Sequence, residues 1–471
     1  MFKEFQSEPQ VSAPPALENV APSDKVSTPP IPRSFEKAPQ AVSINDARSD
    51  AYRTLKNRLH HFALEKLNLA MIDQVSPVTL RRELSTLVAA ELKESGDELN
   101  TDAFKLLIDE LLDEVLGLGP LEPLLADPSI SDILVNGHNH VYVERGGMLE
   151  RVPVSFSSER HLLRIIDKIV SRIGRRIDES QPWVDARLED GSRVNAIIRP
   201  CTIDGPTLSI RKFSRKPLTL DMLVKYGALS QNAMTFLEAI AEARMNVLIS
   251  GGTGSGKTTM LNALSSYIDH RQRIVTIEDA AELQLQQEHV VRLETRPANS
   301  EGIGAISQRD LVRNALRMRP DRIVIGEVRG SEAFDMLQAM NTGHDGSMTT
   351  IHANTARDSL SRLEQMVSMI GGDFPLSAIR GQISSGINIV IQLNRLSDGS
   401  RRIMSISEVT GLEGERIMMQ DIFVFEKQGR EQNGKIKGVF KATGIRPKCM
   451  SVLSAAGHEL PLEIFSNAGT S

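Results

Sequence analysis

The chain has 471 residues, about three domains at roughly 100–200 residues each. Its composition, 40% hydrophobic and 24% charged, is that of a globular protein and excludes collagen-like and wholly disordered classes. A net charge of −5 with 4% aromatic residues argues against a general nucleic-acid-binding protein, which usually has a basic surface with aromatic stacking platforms. Cys201 and Cys449 match no metal-ligand spacing and are expected to be reduced thiols.

The amino-terminal region differs in composition from the rest of the chain. Eight of the 22 prolines fall within residues 1–40, so residues 1–50 are predicted to be a disordered tail, either a solubilising leader or a docking segment. The first ten residues contain no apolar signal core, and no window approaches the ~18 uninterrupted apolar residues of a membrane span. We therefore expect a cytoplasmic protein that is neither exported nor membrane-spanning.

Residues 51–116 have a helical periodicity. Apolar residues recur at helical spacing at Phe104, Leu107, Ile108, Leu111, Leu112 and Val115. With eight basic and twelve acidic residues, this stretch is predicted to be a small acidic helical domain whose apolar stripe serves packing.

Residues 117–215 are predicted to form a mixed α+β domain. The glycines and prolines between Gly117 and Pro123 mark its start. Strands are predicted at Ile130–Val135, Val141–Glu144, Val194–Ile198 and Thr207–Ile210, with a helix over 159–173. Residues 151–215 carry thirteen Lys or Arg against eight Asp or Glu, so this domain is locally cationic.

Residues 216–425 alternate short apolar runs with helical stretches, which predicts an α/β domain with a largely parallel sheet and helices on both faces. The predicted strands are Val247–Ser250, Ile274–Ile277, Ile323–Ile325, Met348–Ile351 and Ile389–Leu393. Residues 426–471 begin with a polar run and have too few apolar residues for their own core, so they are predicted to be a small C-terminal appendage.

The segment Gly251–Thr258, here called the phosphate loop, matches the pattern G-x-x-x-x-G-K-[ST] between a predicted strand and a predicted helix. Such a loop turns its backbone N–H groups and a helix amino terminus onto phosphate oxygens. Lys257 would neutralise phosphate charge, and the Thr258 hydroxyl would complete the coordination of Mg²⁺. The candidate nucleotide ligands are Gly252, Thr253, Gly254, Ser255, Gly256, Lys257, Thr258 and Thr259.

Acidic and histidine residues stand where other predicted strands end. Glu327 follows Ile323–Ile325 and is the candidate for polarising the attacking water. Glu278 ends another strand and could hold Mg²⁺ through water. His344 and His352 bracket the strand Met348–Ile351, which favours a role in sensing the γ-phosphate at the strand ends where α/β sheets bind ligands.

Four motifs in this order and spacing resemble the type II/IV secretion ATPase superfamily. They read GGTGSGKT, TIEDAAEL, RMRPDRIVIGEVRG and TGHDGSMTTIHAN, and they correspond to the Walker A, Asp, Walker B and His boxes of that superfamily. The flanking VDARLEDGSRVNAII and QDIFVFEKQGREQNGKIKGVFKATGIRPK resemble the tight-adherence (Flp) pilus assembly ATPases. The resemblance covers roughly residues 100–465 and implies a RecA-like P-loop core with a preceding α+β domain.

The resemblance also implies roles for particular residues and partners. Lys257 and Thr258 would contact ATP and Mg²⁺, Glu278 lies in the Asp box, Glu327 is the catalytic glutamate, and His344 and His352 belong to the His box. The preceding domain would present Arg187, Arg193 and Arg211 to the nucleotide, and members of the family work as hexameric rings. We predict that this domain closes onto the nucleotide through a hinge near Ser214–Leu220. The leading prediction is a homo-hexameric ATPase motor at the inner face of the cytoplasmic membrane that drives Flp pilus assembly or secretion through a polytopic platform protein in that membrane.

Two departures from the family pattern are present. Gly252 stands where proline is common, and the tetracysteine zinc motif of the type II secretion members is missing.

Alternatives remain at this point. The nearest is a type IV secretion or conjugation traffic ATPase, which gene neighbourhood would separate from a pilus ATPase. A nucleic-acid translocase is disfavoured by the acidic net charge and low aromatic content, and no direct nucleic-acid contact is expected. A small-molecule P-loop kinase is disfavoured by the arginine-bearing preceding domain.

Overall fold

The computed structural model describes residues 50–67, 76–213, 217–298, 303–371, 374–432 and 434–466. The predicted disordered tail lies outside these ranges except for Asp50. Residues 214–216 of the predicted hinge also lie outside them. Within the described ranges, no helix combines the length and the apolar character that crossing a membrane requires.

Three helices come first: α1 (Asp50–Lys66), α2 (Pro77–Ser95) and α3 (Thr101–Val115). The side chain of Asn100 accepts a hydrogen bond from the Ala103 amide and so begins α3. The apolar stripe predicted on α3 faces the other two helices: Leu107, Ile108 and Leu111 are buried in one core with side chains of α1 and α2.

Six antiparallel strands follow: β1 (Ile130–Asn136), β2 (Val141–Arg145), β3 (Met148–Val152), β4 (Trp183–Arg187), β5 (Arg193–Ile197) and β6 (Thr207–Arg211). Their order across the sheet is β3-β2-β1-β6-β5-β4. The short α4 (Glu122–Ala126) precedes the sheet, and α5 (Glu159–Arg172) buries its apolar side in the same core. The other face of this sheet is therefore free to carry charged side chains.

The remaining nine strands form one sheet. They are β7 (Val247–Gly251), β8 (Ile274–Glu278), β9 (Val290–Glu294), β10 (Arg322–Val328), β11 (Met348–Ile351), β12 (Ile389–Arg395), β13 (Arg401–Glu413), β14 (Arg416–Arg430) and β15 (Ile436–Ala442). Their order is β15-β14-β13-β12-β7-β11-β10-β8-β9. The six strands from β12 to β9 run parallel, so their carboxyl ends meet at one edge.

Helices cover both faces of this sheet. The helices are α6 (Leu220–Lys225), α7 (Gln231–Glu242), α8 (Lys257–Ser265), α9 (Gln308–Ala315), α10 (Glu332–Asn341), α11 (Ala356–Ser368) and α12 (Leu376–Gly386). Val247 and Ile249 of β7 enter one core and Leu248 enters the other, as alternating side chains of a central strand must. The predicted α/β class, with a preceding α+β region, is confirmed.

The predicted C-terminal appendage is wrong. Strand β14 passes through the expected boundary at residue 425, and β15 pairs with it. Beyond β15, α13 (Met450–Ala455) and a short turn of helix at Leu462–Phe465 follow. Phe465 packs edge-to-face on Phe236 of α7 with ring centroids 5.5 Å apart. The sparse apolar residues of this segment complete the core of the nine-stranded sheet, so they need no core of their own.

Candidate functional site

The phosphate loop connects the end of β7 to the start of α8, the context that its pattern requires. Gly254 and Gly256 have φ values of +67° and +98°, a left-handed backbone that favours glycine. Gly251 is also required, since a Cβ there would lie 2.6 Å from the Leu393 carbonyl oxygen. The glycines therefore shape a tight loop that ends at a helix amino terminus.

Lys257 is the first residue of α8 and points back into the loop. Its Nζ donates a hydrogen bond to the Gly252 carbonyl oxygen over 3.2 Å, and Ser255 Oγ donates to the same oxygen over 2.9 Å. Burial lowers the pKa of Lys257, and the nearby Glu327 carboxylate opposes that shift. Thr258 and Thr259 follow in the first turn of the helix and are half-buried, while Thr253 is exposed.

Glu327 and His352 lie at the carboxyl edge of strands adjacent to the phosphate loop. Glu327 stands near the end of β10, and His352 directly follows β11, which separates β10 from β7. His352 Nδ1 is 3.8 Å from Glu327 Oε1. Burial lowers the pKa of His352, and the charge of Lys257 lowers it further. The structure thus brings together Lys257, Glu327 and His352.

Glu278 ends β8 and is buried. Its Oε2 accepts hydrogen bonds from the amides of Glu282 and Leu283 over 2.7 and 2.8 Å, which fixes the segment that follows the strand. Burial raises the pKa of Glu278 to about 6. Among the described residues its Oε1 has no hydrogen-bond partner.

A buried carboxylate oxygen without a partner is a suitable ligand for a hard cation. Mg²⁺ is usually held in proteins by one or two carboxylates together with substrate phosphates and waters. Within the part of the chain that the structure describes, no group of three or more His, Cys, Asp or Glu side chains could hold a metal by itself. The unpartnered oxygen of Glu278 therefore has the chemistry of a partial Mg²⁺ ligand.

His344 does not reach the phosphate loop. It precedes β11, whereas His352 follows it, so the four residues of that strand separate the two histidines. Each residue of a strand adds ~3.3 Å, and the nucleotide would bind only at the carboxyl edge. The γ-phosphate role predicted for His344 stays a prediction, and in this structure its carbonyl oxygen accepts a hydrogen bond from Ser347 over 2.7 Å.

The three predicted arginines lie on the six-stranded sheet and pair with carboxylates. Arg211 Nε lies 3.1 Å from Asp132 Oδ1 on the neighbouring strand. Arg193 Nη1 is 2.9 Å from Glu282 Oε1, in the segment that follows β8. Arg187 Nη1 and Nη2 donate to the carboxylate of Glu294 over 3.1 and 3.2 Å.

A cleft of about 1880 Å³ separates the two sheets here. Its walls include Arg187, Arg193 and Arg211 on one side and Asp279 and Arg329 on the other. The arginines thus line the space beside the site without touching the loop. The charge of Arg211 nevertheless contributes to lowering the Lys257 pKa.

Sequence reasoning missed several charged residues of this site. Arg329 donates from Nη2 to Glu327 Oε2 over 2.9 Å, and its position two residues after Glu327 was a usable signal. Arg401 donates from Nε to the Gly254 carbonyl oxygen over 2.8 Å. Arg401 stands far from the loop in sequence, and no local pattern identifies it.

Comparisons with known proteins identify relatives of this chain. A putative conjugal transfer protein of Mycobacterium tuberculosis is 39% identical over 309 residues, covering 64% of this chain and 87% of that protein. The type IV secretion system protein VirB11 of Bartonella quintana is 29% identical over 347 residues, covering 65% of this chain and 96% of that protein.

A solved structure is also similar. The crystal structure of the VirB11 ATPase from the Brucella suis type IV secretion system matches with 29% identity and a TM-score of 0.34, covering 61% of this chain and 92% of that one. The profile of the family described as "Type II/IV secretion system protein" matches residues 114–445. The chain therefore belongs to the type II/IV secretion system protein family, the superfamily that its four motifs resemble.

Proposed function

We propose that this chain is the ATP-driven motor of a type IV secretion or conjugation apparatus. Its family makes it an ATPase. The observation that carries the proposal is the meeting of Lys257, Glu327 and His352 at the carboxyl edge beside the phosphate loop. The naming of relatives as conjugal transfer and type IV secretion proteins supports this kind of apparatus.

Hydrolysis would use groups already near one another. The loop amides and Lys257 hold the phosphates, and Lys257 exchanges the Gly252 carbonyl for a phosphate oxygen. Glu327 orients the attacking water and accepts its proton. Mg²⁺ would be held by Thr258 and Glu278 and would neutralise charge on the phosphates. Arg187, Arg193 and Arg211 would stabilise charge that develops as the phosphoryl group leaves.

We further propose that the chain works as a homo-hexameric ring at the cytoplasmic face of the inner membrane, acting on a polytopic platform protein. The family resemblance is the support for this step. The phosphate loop and the charge-stabilising arginines belong to different sheets. A change in the distance between the two sheets during hydrolysis can therefore be transmitted as motion to a partner protein.

Tight-adherence pilus assembly is the second candidate. The sequences around β4–β5 and along β14–β15 resemble pilus assembly ATPases, and this resemblance is the specific observation in its favour. Both candidates use the same site and differ in the transported substrate. Neither requires direct contact with nucleic acid, so DNA-stimulated ATPase activity would indicate a translocase instead.

The test is a chromosomal Glu327→Gln variant in the native organism, compared with the exposed Glu413→Gln as a control. Conjugation frequency, secreted protein and surface pilin are measured in parallel. Loss of DNA transfer or protein secretion with normal pilin supports the first proposal. Loss of surface pilin alone supports the second. Wild-type levels of all three outputs, with inactive purified Glu327→Gln protein, would overturn both.

A further inference from the structure

Five charged residues form one register row across the six-stranded sheet. In the strand register, Glu144 of β2 lies opposite Asp132 of β1, and Asp132 lies opposite Arg211 of β6. Arg211 in turn lies opposite Arg193 of β5, and Arg193 lies opposite Arg187 of β4. Directly opposite residues on neighbouring strands share a face of the sheet. We call these five residues the charged row; its sign changes from acidic at Glu144 to basic at Arg187.

The two ends of the charged row contact strands on either side of the phosphate loop in the nine-stranded sheet. At the basic end, Arg187 pairs with Glu294 of β9, the outermost parallel strand. At the acidic end, Glu144 pairs with Arg395 at the end of β12 and Arg401 at the start of β13. The row therefore spans the edge at which the nucleotide would bind.

The acidic end is buried and doubly paired. Glu144 is 8% exposed. Its Oε2 lies 3.2 Å from Arg395 Nη1, and its Oε1 accepts from Arg401 Nη2 over 3.3 Å. Ser131 Oγ also donates to Oε1 over 3.3 Å. Separating a buried carboxylate from two guanidinium groups costs much, because the Glu144 charge would lose both of its cationic partners.

The same cluster touches the phosphate loop. Arg401 donates from Nε to the Gly254 carbonyl oxygen over 2.8 Å. A Cβ on Gly254 would lie 3.4 Å from Arg395 Nη1, so this guanidinium also packs against the loop. Gly147, in the turn after β2, would place a Cβ 2.7 Å from the Gly399 carbonyl oxygen. The sheets are therefore closely packed at this end.

The basic end differs in kind. The arginines of both ends are similarly exposed, and the difference lies in the carboxylates: the Glu144 side chain is 11% exposed, against 28% for Glu282 and 43% for Glu294. Exposed ion pairs contribute little and exchange readily for other partners. A phosphate entering the cleft can therefore take Arg193 from Glu282, whereas the bonds at Glu144 persist.

We propose that Glu144, Arg395 and Arg401 are the fixed end of the charged row, the pivot about which Arg193 and Arg187 approach the nucleotide. Arg401 is a positioning residue: it holds the phosphate loop through the Gly254 carbonyl while Glu144 holds Arg401. This inference rests on the proposed ATPase motor function. It adds that the contact of Glu144 with Arg395 and Arg401 persists throughout the ATP hydrolysis cycle.

The test is a double-mutant cycle with Glu144→Gln and Arg401→Gln in the full chain. We measure kcat and KM for ATP, the affinity for a fluorescent ADP analogue, and the thermal unfolding midpoint without nucleotide. Because each variant releases the phosphate loop and also removes the fixed end about which the arginines approach the nucleotide, each should raise KM about tenfold and lower kcat as well. The KM of the double variant should be no higher than that of the more impaired single variant, because both substitutions break the same contact.

Glu150→Gln on the same hairpin and the exposed Arg416→Gln are the matched controls and should leave KM unchanged. Arg401→Lys keeps the charge and covers the case in which the glutamine variants do not fold; it should raise KM by a smaller factor. Unchanged KM and ADP affinity in variants that fold, or strictly additive effects, would overturn the pivot alone. A wild-type chain that binds no nucleotide would overturn the proposed function and the pivot with it.

Discussion

Arg329 donates a hydrogen bond from Nη2 to Glu327 Oε2 over 2.9 Å, and its Nη1 lies 3.3 Å from Asp279 Oδ2. One oxygen of the candidate catalytic carboxylate is therefore already occupied. The other, Oε1, lies 3.8 Å from His352 Nδ1. The oxygen available to orient a water molecule is thus the one that faces the histidine.

Glu327→Gln should retain ATP binding while turnover falls by ~10²–10⁴-fold, the usual contribution of general-base catalysis. The amide keeps the shape of the side chain and cannot accept a proton from water. Steady-state hydrolysis and equilibrium binding of a fluorescent ATP analogue measure the two effects separately, with Glu413→Gln as the control. Lost binding at normal stability would show that Glu327 is instead a ligand or a structural group.

Lys257→Ala should abolish hydrolysis and weaken nucleotide binding, because it removes the cation that faces the phosphates. Charge-assisted hydrogen bonds of this kind are worth about 1.5–3 kcal/mol, so affinity should fall by about 10- to 100-fold. Isothermal titration with ADP and with ATP measures the loss. The exposed Lys225→Ala is the control. Turnover near that of the wild type would refute the placement of the site at this loop.

Much of the site was predictable because its parts are local in sequence. The phosphate loop, Glu327 and His352 each follow an apolar run, and parallel strands bring their carboxyl ends to one edge. The role predicted for His344 came from its position beside the same strand as His352 and from the family motif, and neither says which edge of the sheet it occupies. A strand of four residues between them places the two histidines at opposite edges.

The parts that could not be predicted depend on distant pairing. Arg401 meets the loop only because β12 lies beside β7 and β13 pairs with β12, and nothing near Arg401 in sequence indicates that order. The end of the core was misjudged for a similar reason. Phe465 packs on Phe236 in the same core, although the two residues are more than two hundred positions apart in the chain.

Phe465→Ala should destabilise the ATPase core by about 3–5 kcal/mol, the usual cost of truncating a buried phenylalanine. Its ring contacts Phe236 and Phe423, with centroids 5.5 and 6.0 Å away. Denaturant unfolding monitored by circular dichroism measures the change. The neighbouring Leu462→Ala is the control, since Leu462 is 54% exposed. Equal small effects for both variants would restore the interpretation of this segment as an appendage.

The ring proposed from the family resemblance should be favoured by nucleotide, because a nucleotide bound between the two sheets of each chain would fix the surface that a neighbouring copy meets. Light scattering at micromolar concentration should show a larger particle with a non-hydrolysable ATP analogue than without it. Lys257→Ala should show no such increase. A wild-type chain that stays a monomer with full ATPase activity would contradict the hexameric motor.

Arg193→Ala and Arg211→Ala should lower kcat far more than they raise KM, since a finger that stabilises charge developing in the transition state contributes little to the ground state. Arg193 is now held by Glu282 in an exposed pair of the kind worth ~0–1 kcal/mol, so its release is inexpensive. Arg187, paired with Glu294 at the far end of the charged row, should show a smaller effect.

Glu282→Gln is the matched control for Arg193→Ala, because it breaks the same ion pair from the other side. If the pair only holds the two sheets together, both variants should lower kcat equally. If Arg193 acts on the nucleotide, Glu282→Gln frees it and should leave kcat at or above the wild-type value. Steady-state kinetics on the two variants decide between these outcomes, and unchanged kcat in Arg193→Ala and Arg211→Ala would refute domain closure as the source of motion.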